Sequence, residues 1–141
     1  MKFCKSFMMI MFTSLIATGA AHAETPPKKS RDFRGNYETL VKDQHASPEM
    51  AECIATGYDL VKKSKKFDRL GFTQEDIGKA KVDRKPGKFS ARDHTKVSTV
   101  IAVSGEARPR TDSTNWADIT LRCGISKKGK VKAIEIKTSA D

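Results

Sequence analysis

The residues of this chain that could do chemistry are few: Cys4, Cys53 and Cys123, the histidines His22, His45 and His94, the adjacent acids Glu75 and Asp76, and a run of lysines and arginines within residues 61–96. A cysteine pair can bridge, hold a metal ion or supply a nucleophilic thiolate. Neither Cys53 nor Cys123 has a His, Cys or Asp at the close spacing of zinc ligand sets, so no metal site is expected. His94 follows Asp93 directly, yet neighbours on an extended chain point to opposite sides. No serine sits in a Gly-x-Ser-x-Gly elbow, and no catalytic residue or cofactor is assigned. Glu75 and Asp76 follow Thr73 at a helix start, where the helix dipole accounts for them.

The basic run is the strongest signal. Residues 61–96 contain 12 Lys and Arg against 5 Asp and Glu, an excess of +7 within a net charge of +10 for the whole chain. On one face they would attract an anionic polymer, a lipid headgroup or an acidic protein through summed charge and counterion release. The candidate contacts are Lys62, Lys63, Lys65, Lys66, Arg84, Lys85 and Lys88, with Phe67, Phe72 and Phe89 among them as groups able to stack. The opposing reading is a solvated helix end and a solvated loop, since no nucleic-acid motif accompanies the charge. Lys127, Lys128 and Lys130 around Gly129 could hold phosphate or carboxylate groups, but lysines at a hairpin tip also guard an edge against aggregation.

Compartment decides the cysteine chemistry. Residues 1–23 read as a secretory signal peptide: Lys2 and Lys5, an apolar run over residues 7–16, then Ala21-His22-Ala23, with cleavage expected before Glu24. Processing removes Cys4 and leaves an even pair in an exported chain, for which a Cys53–Cys123 disulfide is the default. The mature protein is expected in the periplasm or secreted, without an integral membrane segment. A length of 141 residues, 38% of them hydrophobic and 31% charged, allows one modest core and excludes multi-domain enzymes, transmembrane bundles and collagen-like or wholly disordered chains.

The elements that must position these groups follow from period and punctuation. Residues 24–46 read as a flexible tail with a short helix over residues 37–44, and residues 47–141 as a small α+β domain. Ser47, Pro48 and Glu49 open a helix over residues 48–66, in which Met50, Cys53, Ile54, Tyr58, Leu60 and Val61 recur at helical spacing. A short helix is expected from Thr73 and a loop over residues 82–93. Residues 95–107 alternate as a central strand with a bend or bulge at Gly105. Ile119, Leu121, Cys123 and Ile125 alternate on a strand that turns at Gly129 and returns as a β-hairpin, and Trp116 just before it is expected in the core. The fold class is therefore α+β, one main N-terminal helix packed on a small antiparallel sheet that ends in the hairpin.

The segment WADITLRCGISKKGKVKAIEI at 116–136, with AECIATGYDL at 51–60, resembles small exported proteobacterial domains of the BspC type, whose function is unknown. The resemblance implies an exported domain and supplies no catalytic residue. Together these features point to an exported, non-catalytic interaction module with a basic surface. The alternative is a small periplasmic hydrolase or an enzyme inhibitor, using His94 and the turn at residues 109–115.

Overall fold

The computed structural model describes residues 23–139, so all of the expected signal peptide except Ala23 lies outside the described residues. The elements run α1 (Phe33–Lys42), α2 (Pro48–Val61), β1 (Phe67–Gly71), α3 (Gln74–Gly78), β2 (Lys81–Asp83), β3 (Gly87–Lys88), β4 (Lys96–Val97), β5 (Thr99–Pro109), β6 (Ala117–Ile125) and β7 (Val131–Thr138). This is a mixed helix-and-sheet architecture around a curled antiparallel sheet. Its order is β1-β5-β6-β7, with β2 also paired to β5. The long strand β5 receives β1 along its C-terminal half, Gly71 opposite Glu106 and Phe67 opposite Pro109. Along its N-terminal half it receives β2, Lys81 opposite Ala102 and Asp83 opposite Val100.

Residues of odd number on β5 and β6 face the helices. Ile101, Val103, Leu121 and Ile125 are buried there with Ile54 of α2, Leu40 of α1 and Ile134 of β7. Helix α2 starts as its sequence dictates: the Ser47 hydroxyl accepts a hydrogen bond from the Met50 amide at 3.2 Å, and Pro48 occupies the first turn. It ends at Val61, short of the expected Lys66, because Lys63 and Ser64 donate to the Leu60 and Val61 carbonyls in a tight turn. The Arg110 guanidinium, from the far end of β5, then donates to the carbonyls of Ser64 at 2.7 Å and Lys62 at 3.3 Å. The chain is thereby released into β1.

Residues 24–36 are docked, and the expected flexible tail is corrected. The Glu24 amide donates to the Ile134 carbonyl at 2.7 Å, and Phe33 is buried at the start of α1, which packs beside α2 as a second helix. Asp59 shows why. It is buried on α2, and a buried carboxylate must be partnered; the Ser30 amide and hydroxyl donate to it at 2.8 and 2.5 Å, and Lys62 approaches at 3.6 Å.

Two further expectations are revised. No bulge occurs at Gly105, whose pairing with Ile119 lies in continuous register; glycine is required there because a Cβ would meet the Phe72 ring at 2.4 Å and the Gly71 carbonyl at 2.6 Å. The second face of the sheet is also partly covered. The β3–β4 hairpin lays Phe89 and Val97 over Gly124 and buries Ala133, so residues 82–93, expected as a loop, supply part of a second small core.

Five carboxyls are held below their ordinary values of 3.8 for Asp and 4.5 for Glu: Asp32 chiefly by the Lys62 hydrogen bond, Glu38 by Arg34, Asp68 by Arg108, Asp93 by Thr95 and Asp112 by Thr114. A carboxyl lowered in the folded state contributes stability that is complete above its unfolded pKa and is lost as pH falls through the folded one. Urea midpoints are therefore expected to hold level from pH 7 to about 5 and to fall below about pH 4. Asp68→Asn, which removes a carboxylate bound through both oxygens to Arg108 at 2.7 and 2.8 Å, should make that fall shallower.

Candidate anion-binding groove

The seven basic residues singled out by sequence fall into two groups at opposite ends of β5. Lys62, Lys63, Lys65 and Lys66 precede β1, beyond the Pro109 end, while Arg84, Lys85 and Lys88 follow β2, beyond the Val100 end. Val100 and Pro109 are nine residue steps apart along the strand, about 30 Å at the usual rise. Lys62 is engaged by Asp32 at 2.9 Å. Lys63, Lys65 and Lys66 are exposed, with the Lys66 ammonium 5.2 Å from the Phe67 ring centre and Arg110 joining them from the β5–β6 connection. Arg84 turns toward the helices and pairs with Glu49 at 3.0 Å.

Lys85 and Lys88 have different company. They line a groove of about 470 Å³ on the second face of the sheet, with Lys81, Asp83, Phe89, Val100, Ala102 and Arg122. The register builds it. Lys81, Ala102, Arg122 and Glu135 form one row across β2, β5, β6 and β7, and Asp83, Val100, Gly124 and Ala133 form the next. Arg122 is fixed from three sides: it pairs with the buried Glu135, donates to the Phe89 carbonyl at 3.3 Å, and holds its guanidinium 4.9 Å from the Phe89 ring centre. Lys81, Lys85 and Lys88 have no ion-pair partner among the described residues. Lys88 also stands directly opposite Lys96 in the β3–β4 pair, an arrangement that like charges disfavour. Asp83 is the one acid in the lining. Lys81 and Arg122 were not among the sequence candidates; nothing local marks them, because only the register across Ala102 sets them on either side of one gap.

The other end of the same face is acidic. A cleft of about 1040 Å³ is lined by Trp116, Ser104, Glu106, Asp118 and Thr120, among others. Trp116, expected in the core, is 38% exposed, and its indole lies against Gly71, 3.3 Å from where a Cβ would be. Its place after a polar turn rather than within the alternating strand was the available signal. Asp93 and His94 do not form a dyad: the Asp93 carboxylate accepts from the Thr95 amide and hydroxyl at 2.9 and 2.6 Å, while the His94 ring meets the Ala91 carbonyl at 3.1 Å. In the turn at residues 109–115, Asp112 accepts hydrogen bonds from Thr114 and Asn115. No group of three or more His, Cys, Asp and Glu residues arranged to hold a metal ion occurs among the described residues.

Cys53 and Cys123 are both buried and stand at disulfide distance, with Cα atoms 5.8 Å apart, compatible with a bridge from α2 to β6. Among the described residues no helix is long and apolar enough to cross a membrane. Comparison with protein-family models, curated proteins and solved structures gave no match.

Proposed function

We propose that this chain is an exported, non-catalytic interaction module, periplasmic or secreted, that binds an anionic partner through the groove between β2, the β3–β4 hairpin and the sheet. The observation that carries this reading is the convergence of Lys81, Lys85 and Lys88, none with an ion-pair partner among the described residues, on a fixed Arg122. The cysteine pair at disulfide distance supports an oxidising compartment, as does the resemblance to exported BspC-type domains. Cations that outnumber the acids beside them raise the local potential and draw in anions. The Lys63, Lys65, Lys66 and Arg110 group adds long-range attraction.

Retention on immobilised heparin tests this reading. Wild-type protein is expected to bind at about 50 mM salt and to elute steeply before about 200 mM, as multivalent ionic contacts do. Reversing Lys81, Lys85 and Lys88 to Glu should abolish retention, whereas reversing Lys63, Lys65 and Lys66 should only lower the eluting salt. All six are exposed, so stability should stay within a few tenths of a kcal/mol per site. Unchanged retention in both triple variants would reduce the charge to a solubility device.

A further inference from the structure

We infer that the groove recognises a phosphoryl group carried as an ester on a small apolar or aromatic moiety; this rests on the anion-binding reading and narrows it to a ligand class. Lys81 and Arg122 sit in one row on the two strands that flank β5, with Ala102 between them. Two strand spacings put their backbones roughly 10 Å apart, and the alanine methyl leaves the space between the two side chains open. A tetrahedral oxyanion bound from both sides suits such a gap. Arg122 has committed two of its five N–H groups, one to Glu135 and one to the Phe89 carbonyl. The remaining donors sit on a guanidinium already held in place, so a forked contact to two oxygens would cost little additional ordering.

Charge selects the phosphoryl group over a carboxylate. Arg122 is balanced by Glu135, but Lys81, Lys85 and Lys88 face only Asp83 in the lining, and Lys88 is further opposed by Lys96. A dianion offsets this excess where a monoanion leaves most of it. Val100 and Ala102 supply apolar surface to the groove beside the largely buried Phe89. At about 470 Å³ the groove falls within the size range of small-ligand sites, roughly 300–1,000 Å³, and exceeds what bare phosphate fills. This apolar surface therefore takes the ester group.

Calorimetric titrations of the full mature protein with phenyl phosphate, inorganic phosphate and benzoate test this, beside flotation with vesicles of phosphatidic acid and of phosphatidylcholine. Phenyl phosphate is expected to bind at least tenfold more tightly than either fragment. Replacing Lys81, Lys85 and Lys88 with Gln should weaken it at least tenfold, and Arg122→Lys, which keeps the charge and loses the fork, should weaken ester binding by a larger factor than it weakens heparin retention. Groove-dependent binding to phosphatidic acid vesicles alone would uphold the phosphoryl class with a lipid as its source. Equal affinity for benzoate and phenyl phosphate, or phenyl phosphate binding indifferent to the three Gln substitutions, would overturn the inference while heparin retention kept the broader function standing. Loss of both heparin retention and ester binding in wild-type protein would bring down both.

Discussion

Replacing Cys53 and Cys123 together by serine is expected to lower the melting temperature by roughly 10–20 °C, on the scale of about 2–5 kcal/mol for a native bridge in a small exported domain. The bridge would close a separation of 70 residues, for which chain entropy alone gives about 4 kcal/mol. Both sulfurs are buried between α2 and the middle of the sheet, beside Ile54, Leu121 and Ile134, so the serine variant also places two hydroxyls in an apolar interface. Since the total stability of domains is about 5–15 kcal/mol, this is the largest effect expected of any substitution that spares the groove. Heparin retention should survive in the cold, because Cys53 and Cys123 meet between α2 and the helix-covered face of the sheet, and the groove lies on the opposite face. Thermal melts with and without reductant check the magnitude. Two thiols reactive in unfolded, unreduced, freshly purified protein would show that no bridge exists.

Gly105→Ala is expected to be nearly as damaging, despite adding one methyl group. The new Cβ would overlap the Phe72 ring and, at 2.6 Å, the carbonyl oxygen of Gly71. The ring can turn only by disturbing its packing beside Tyr58. The carbonyl belongs to the β1–β5 pairing and can move only by loosening it. Overpacking of this kind costs about 1–3 kcal/mol, and the backbone overlap puts the expected loss at the upper end. Gly35→Ala is the matched control: nothing lies within 4 Å of its Cβ position on α1, so alanine should raise stability by about 0.5–1 kcal/mol. Urea denaturation of the two variants should give shifts of opposite sign.

The contrast between these glycines also explains how much of the molecule is readable from sequence. Helix α2 and strands β5 to β7 are long, strongly patterned and punctuated by Ser47-Pro48 and Gly129, whose φ is +77°, and local chemistry is enough to specify them. Strand β2 is three exposed residues, and β3 and β4 have two each. They have no period of their own and exist because β5 offers an edge and Gly124 offers a hollow for Phe89 and Val97. Gly105 reads as a bulge because sequence shows the missing side chain but not the Phe72 ring filling its place. Asp59 is buried on α2, and nothing in the local sequence points to Ser30 as its partner. The groove divides in the same way. Its lysines are visible as charge, whereas its separation from the Lys63 to Lys66 group and the placing of Lys81 opposite Arg122 are consequences of register, which no local pattern encodes.

The most direct measurement of whether this register makes an anion site is a residue-resolved one. Backbone amide resonances of isotopically labelled protein, followed at low salt as a heparin oligosaccharide is added, report where the anion sits. The largest shifts are predicted at Lys81, Lys85, Lys88, Phe89 and Arg122, with smaller ones at Lys63 to Lys66 and none at the Trp116 cleft. Shifts centred on the α2–β1 turn, with the groove amides unmoved, would contradict the assignment of the groove as the site.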